Sequence, residues 1–93
     1  MSVTVRIPTQ LRSLAQGSSE VSVEGNSVGE ALAKLGVVHP ELTSRIFDDE
    51  GKLRRFVNVF LSDEDVRFLQ GLDTPISDDQ VISIVPAVAG GDS

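Results

Sequence analysis

Two short stretches near the start of the chain alternate apolar and polar residues with the period of two that a half-buried strand requires. The first covers residues 3–7 and stops at Pro8, which lacks the backbone N–H that a sheet needs. The second covers Glu20–Glu24 and is followed by Gly25. A turn-rich stretch of glycine and serine joins the two. The pattern therefore predicts an antiparallel hairpin.

An amphipathic helix is predicted after this hairpin. Asn26 and Ser27 offer N-cap oxygens, and Glu30 stands three residues after Ser27, as in a capping box. The apolar stripe with helical spacing consists of Val28, Ala31, Leu32 and Leu35. Gly36 is the predicted end of this helix, although Val37 and Val38 could prolong the apolar contact before His39-Pro40 forbids further helix. Pro40 suits the first turn of a short second helix that runs through Ile46.

Three further strands are predicted in the second half of the chain. The most strand-like run is 56–61, which we expect to be the central strand. A polar turn leads from it into a short strand over 66–68. The last strand covers 81–85 and is closed by Pro86.

This order of elements predicts an α+β fold: a mixed sheet of four to five strands, covered on one face by one main helix. The first and last strands should lie parallel in the middle of the sheet. The residues expected to face the helix are Val3, Val5, Ile7, Val57, Val59, Leu61, Ile82 and Ile84. We expect one domain over residues 1–86 and a flexible C-terminal tail over 87–93.

Composition narrows the possible functions. The 93 residues suffice for one domain, and the net charge of −6 argues against nucleic acid, which requires a basic face. An acidic protein suits a basic groove on a partner, although such a charge also serves solubility alone. The absence of cysteine excludes disulfides and thiolate chemistry. Without an apolar signal core or an 18-residue apolar run, we expect a cytoplasmic protein that does not enter membranes.

Aromatic residues on the strand over 56–61 suggest a contact surface. Phe56 and Phe60 alternate with its inward residues and should point to the sheet face that the helix leaves uncovered, together with Val85. Exposed aromatics are typical of interfaces, so these three residues form a candidate partner-binding patch. Alternatively, arginine stems or the connection over 36–55 cover them.

No metal or catalytic site is predicted. His39 is the single histidine and has no second ligand at metal spacing, so we expect it to be a helix-end residue. The acidic runs 48–50 and 63–65 lack the ligand spacing of a calcium loop and are expected to be solvated turns. No nucleophile triad or phosphate loop is present in the sequence.

The C-terminal tail is the segment most suggestive of chemistry. After Pro86 the chain consists of small residues, namely Ala87, Val88, Ala89, Gly90 and Gly91, followed by Asp92 and Ser93. Residues without a Cβ let a backbone thread a narrow channel. The five residues beyond Pro86 span at most about 17 Å, enough to enter another protein's active site. A terminal Gly-Gly pair alone is weak evidence, because frayed ends have the same composition.

Three segments together resemble the ThiS/MoaD family of ubiquitin-like, β-grasp sulfur carriers, and within it the branch that serves cysteine biosynthesis. They are the strand at 56–59, the turn at 63–67 and the C-terminal 85–91. The resemblance covers nearly the whole chain. It implies a protein co-substrate that is not itself an enzyme, a monomer when free.

The resemblance also implies the chemistry and the partners. An E1-like enzyme would adenylate the Gly91 carboxylate with ATP and magnesium, and a sulfur donor would displace AMP to leave a thiocarboxylate on Gly91. In the cysteine branch, a pyridoxal-phosphate-dependent cysteine synthase accepts the sulfur, and a zinc metalloprotease of the JAMM type releases cysteine. These cofactors belong to the partner enzymes, and none is expected in this chain.

Asp92-Ser93 departs from the family pattern, because it converts the Gly91 carboxylate into a peptide amide. We therefore expect this two-residue extension to be removed, unless it is a harmless addition. Other readings stay open: sulfur transfer to thiamin, molybdopterin or a thiolated natural product, a ubiquitin-like modifier joined to lysines, or an interaction module with an inert tail.

Overall fold

The computed structural model describes residues 2–55 and 57–86 and contains one five-stranded sheet. In the order β2-β1-β5-β3-β4, the strands are β1 (Ser2–Arg6), β2 (Glu20–Glu24), β3 (Val57–Leu61), β4 (Glu64–Asp65) and β5 (Val81–Pro86). Two helices, α1 (Val28–Val38) and α2 (Pro40–Ile46), are joined by His39. This architecture confirms the predicted α+β class and the mixed sheet with its main helix.

The observed strand pairing confirms two of the predictions made from the sequence and contradicts a third. β1 and β2 form the predicted antiparallel hairpin, and β1 pairs in parallel with β5. The expectation that the strand over 56–61 is central was wrong, because β5 occupies the middle and β3 lies between β5 and β4. β3 has apolar residues on both of its faces, Val57, Val59 and Leu61 on one and Phe60 on the other. Such a run is typical of a central strand that is buried on both sides.

The start of α1 has the predicted cap. The Ser27 hydroxyl accepts a hydrogen bond from the Glu30 N–H at 3.2 Å, and the Glu30 carboxylate accepts one from the Asn26 N–H at 2.8 Å. The helix does not end at Gly36 but continues through Val37 and Val38 to a cap at His39, the alternative that the sequence left open. Gly36 lies where a Cβ would overlap the Thr43 hydroxyl of α2, so its missing side chain lets the two helices approach.

Two segments read as turn or strand are 3₁₀ helices. Thr9–Ala15 forms one between β1 and β2 and buries an apolar face. Val66–Phe68 forms another, where a short strand was expected. Here the Asp65 carboxylate accepts the Arg67 N–H at 2.9 Å, a side-chain cap that starts a helical turn. Pro86 also differs from expectation, because it is the last residue of β5 rather than its terminator.

The core fills the space between the helices and one sheet face. All eight residues predicted to face the helix are buried. The helices, together with the Thr9–Ala15 turn, add Leu11, Ala15, Val28, Ala31, Leu32, Leu35, Leu42 and Ile46 to this core. The opposite sheet face, termed the outer face below, is covered by neither helix, and its residues on β1 and β2 are largely polar.

Arg67 closes an exposed edge of the sheet. β4 pairs only with the last two residues of β3, so the first half of β3 has no neighbouring strand on the side away from β5. The Arg67 guanidinium donates to the Val57 carbonyl at 2.7 Å, to Asn58 Oδ1 at 2.9 Å and to the Arg54 carbonyl at 3.4 Å. An open edge invites pairing with other chains, and the side chain here takes the place of a missing strand.

We predict that Arg67→Met destabilises the domain, because Met keeps much of the apolar stem but cannot donate these hydrogen bonds. The expected loss is about 1–3 kcal/mol of unfolding free energy, the range for hydrogen bonds with a charged donor. Urea unfolding measures it. Lys34→Met, on the exposed side of α1, is the matched control. Equal stability of the two variants would contradict a role for Arg67 at the edge.

Candidate functional site

The candidate site is the end of the sheet where β5 finishes. Pro86 pairs with Val57, the first residue of antiparallel β3, and parallel β1 ends nearby at Arg6. The chain therefore passes into its C-terminal segment from the middle of the sheet. The predicted tail residues lie outside the described part of the chain: Ala87, Val88, Ala89, Gly90, Gly91, Asp92 and Ser93.

Two open grooves meet at Pro86. The first is lined by four cationic residues, Arg45, Lys52, Arg54 and Arg55, and by one acidic residue, Asp48. The second is lined by the cationic residues Arg6 and Arg12. This grouping was missed in the sequence analysis. Arg54 and Arg55 come shortly before β3, and the antiparallel pairing of β3 with β5 brings that end of β3 beside Pro86. The sequence signal was present, and the missing information was the strand order.

Asp48 organises the turn at the edge of the first groove. Its carboxylate accepts hydrogen bonds from the backbone N–H groups of Glu50 at 2.8 Å and Lys52 at 3.0 Å. The pKa of Asp48 is lowered from its ordinary 3.8, chiefly by the hydrogen bond from the Lys52 N–H. Desolvation opposes this effect, whereas the hydrogen bond from the Glu50 N–H and then the charges of Lys52 and Arg54 add to it. Asp48 thus organises the polar turn that was expected from the sequence.

The proposed partner-binding patch is only partly described. Phe60 lies on the outer face and is half-buried, and Val85 on the same face is 43% exposed. Because Phe60 pairs with Ser83, Val85 is its diagonal neighbour across β3 and β5. Phe56 lies outside the described residues. A further aromatic that the sequence reading assigned to a strand, Phe68, is 86% exposed after β4.

The remaining expectations concern metals and membranes. His39 is buried at the junction of α1 and α2, the helix-end position expected from sequence. Within residues 2–55 and 57–86, no three histidine or acidic side chains gather as a metal site would require. Over the same residues, neither helix has the length and apolar character needed to cross a bilayer.

Comparisons with known proteins converge on one family. The model of the ThiS family matches residues 5–91. The sulfur carrier protein CysO of Mycobacterium tuberculosis is 45% identical over 93 residues, covering 98% of this chain and all of the relative. A crystal structure of the Amycolatopsis orientalis BexX/CysO complex matches with a TM-score of 0.89 at 43% identity, covering 96% of this chain and 99% of that chain. SAMP1, a small archaeal modifier protein from Haloferax volcanii, matches with a TM-score of 0.84 at 31% identity, covering 98% of this chain and all of that one.

We predict that the stabilising effect of Asp48 disappears in acid. Because its folded-state pKa lies below 3.8, the ionised carboxylate stabilises the fold above that pH and ceases to do so as pH falls through the lowered value. The wild type should therefore exceed Asp48→Asn in unfolding free energy near neutrality, with a difference that shrinks below about pH 4. Urea unfolding of both proteins across this range measures it. A difference that is constant with pH would contradict the assignment.

Proposed function

Since the chain belongs to the ThiS family, we propose that it is a sulfur carrier protein whose C-terminal Gly91 is converted to a thiocarboxylate that donates sulfur, in the biosynthesis of cysteine. The observation that carries this proposal is the full-length similarity to CysO, with the family match reaching Gly91 itself. The chain then serves as a protein co-substrate. Partner enzymes perform the bond-making steps.

The fold supports this role because the folded domain, which we call the handle, is separate from the C-terminal segment that would carry the reactive glycine. We take residues 1–86 as the handle and 87–93 as the segment presented to partners. β5 ends at Pro86 between two open grooves. Five residues beyond Pro86 reach about 17 Å when extended, so Gly91 can react in a channel while the sheet stays outside it.

A free carboxylate has no good leaving group, and adenylation of Gly91 would provide one, AMP. A carboxylate oxygen of Gly91 attacks the α-phosphorus of ATP, and pyrophosphate leaves with the P–O bond electrons. The sulfur of a donor at the oxidation level of sulfide then attacks the carbonyl carbon of the acyl adenylate. A C–S bond forms, the C–O bond to AMP breaks, and no electrons are gained or lost. ATP and magnesium belong to the E1-like activating enzyme.

The later steps of the cysteine branch require two further partners. A pyridoxal-phosphate-dependent cysteine synthase would accept the thiocarboxylate sulfur, and a JAMM-type zinc protease would release the product and restore Gly91. The protease also offers a route for removing Asp92-Ser93. The BexX/CysO complex of Amycolatopsis orientalis supports the general expectation that a carrier of this family docks on another protein.

A ubiquitin-like modifier is the second candidate function. The similarity to SAMP1, at 31% identity over 98% of this chain, favours it. Intact-mass analysis of protein isolated from the host separates the two. A Gly91-ending form that is about 16 Da heavier marks replacement of oxygen by sulfur, whereas a series of heavier conjugates marks attachment to lysines.

We predict that the encoded chain is not loaded with sulfur until Asp92-Ser93 is removed, because the amide at Gly91 offers no carboxylate for attack on ATP. The full chain and a chain ending at Gly91 are each given the activating enzyme, magnesium, ATP and sulfide, without protease. Mass spectrometry should detect the thiocarboxylate only on the shorter chain. Gly91→Val in the shorter chain is the control and should block loading while leaving the fold intact. Equal loading of the full and shortened chains would defeat the precursor hypothesis.

We also predict that Phe60→Thr weakens binding to the activating enzyme about 10-fold, if the outer-face patch is an interface anchor. Thr suits a strand and, unlike Asp, places no carboxylate opposite Asp65, the residue paired with Phe60. Calorimetric titration measures the change. Phe68→Thr, at an exposed phenylalanine outside the patch, is the matched control. If both variants bind the activating enzyme with equal affinity, the patch is not part of the interface.

A further inference from the structure

The cations of this acidic protein are concentrated where β5 ends. Six of the eight Lys and Arg side chains line the two grooves that meet at Pro86. A seventh, Arg67, donates to the carbonyl of Val57, the residue paired with Pro86. Lys34, on the exposed side of α1, is the one that remains. We call the seven the basic collar: Arg6, Arg12, Arg45, Lys52, Arg54, Arg55 and Arg67.

A group of five acidic residues lies at the opposite end of the sheet. Asp63 and Glu64 follow β3, Asp78 and Asp79 precede β5, and Glu24 ends β2 opposite Ser2. β3 ends and β5 begins at this far end, because the two strands are antiparallel. The molecule therefore has a positive end at Pro86 and a negative end about one strand length away. A net charge of −6 conceals this separation.

The collar cations are compensated only in part. The described residues contain two ion pairs, Arg6 with Glu20 at 3.5 Å and Lys52 with Glu50 at 3.8 Å, and all four side chains are more than half exposed. Such surface pairs are weak. Asp48 and Asp49 offset a further part of the charge, because backbone N–H groups orient the Asp48 carboxylate but do not neutralise it. The seven collar cations still outnumber the four carboxylates of Glu20, Asp48, Asp49 and Glu50.

Three of the guanidinium groups are fixed by carbonyl oxygens rather than by carboxylates. Arg12 donates to Ile7 at 3.0 Å, Arg54 to Ser44 at 2.7 Å and Arg67 to Val57 at 2.7 Å. A carbonyl orients a guanidinium but carries no net charge to neutralise it. The collar therefore presents oriented positive charge around the start of the C-terminal segment.

We propose that the basic collar docks on an acidic rim at the mouth of the channel in which the activating enzyme receives Gly91. This inference rests on the proposed function and adds the partner's chemistry to it. An acidic rim attracts the Pro86 end of the carrier and repels the opposite end, so approach occurs with the C-terminal segment leading. It also reverses the expectation of a basic partner groove that net charge alone suggested.

The length of the C-terminal segment argues against nucleotide phosphates as the target of the collar. An extended chain carries the Gly91 carbonyl about 17 Å from Pro86. Screening at physiological salt weakens interactions between exposed charges beyond about 8 Å. With Gly91 at the α-phosphate of ATP, the collar is thus too distant to serve the reaction and lies against the protein surface at the channel mouth.

The test compares two charge reversals with identical effects on net charge. Arg55→Glu changes an exposed collar residue, and Lys34→Glu changes the exposed cation outside it. Calorimetry titrates each variant, in the form ending at Gly91, into the host's activating enzyme without ATP or sulfide. We expect at least a 10-fold loss of affinity for Arg55→Glu at low salt, a change within about twofold for Lys34→Glu, and near-wild-type binding for Arg55→Lys. The gap should narrow as salt approaches about 1 M, where the screening length is near 3 Å.

Each alternative result has a distinct meaning. If Arg55→Glu and Lys34→Glu weaken binding to the activating enzyme equally, or if neither weakens it, the proposal that the basic collar docks on this enzyme is overturned. In a separate titration with ATP alone, NMR shifts at the groove arginines would identify a phosphate site and also overturn it. Wild-type chain that binds the enzyme but gains no sulfur with ATP and sulfide contradicts the proposed function and leaves the docking result standing. Circular dichroism confirms that each variant is folded.

Discussion

The parallel pairing of β1 with β5 is the constraint on which the rest of this structure depends. Parallel neighbours cannot be joined by a tight turn, so the chain between them must cross over, and here it supplies the helices that cover one sheet face. Parallel strands also end on the same side. The end of β5 therefore lies beside the end of β1, and antiparallel β3 begins at the same place. One pairing thus sets both the core and the surroundings of Pro86.

The core and the contact surfaces occupy different parts of the domain. Without cysteines, stability rests on apolar packing between one sheet face and the helices. Local hydrogen bonds stabilise the helix start, the turn and the sheet edge, which lie outside this packed core. The Ser27 and Glu30 cap starts α1, the Asp48 carboxylate closes its turn, and Arg67 covers the open edge of β3. The outer face and the sheet end at Pro86 are left available for partners.

Such a division suits a protein that presents a reactive end and performs no catalysis of its own. The chemistry proposed for Gly91 requires that the domain carry Gly91 into a partner's active site and orient it there. It does not require an enclosed pocket in this chain. Reach follows from the length of chain after Pro86. Orientation follows, in our proposal, from the separation of charge between the two ends of the sheet. A dipolar charge distribution can direct docking even when the net charge has the same sign as the partner's rim.

The sequence alone determined the properties that depend on neighbouring residues. Alternation identified β1, β2, β3 and β5, the cap at Ser27 identified the start of α1, and the C-terminal segment indicated the family. Tertiary structure decided what depends on distant residues: the place of β3 between β5 and β4, the close approach of α1 and α2 at Gly36, and the helical turn at 66–68. It also gathered the basic collar from β1, from α2 and from loops far apart in the chain. Local patterns fix a residue's periodicity and conformation, whereas neighbours across a sheet are set by pairing between strands, which no local pattern records.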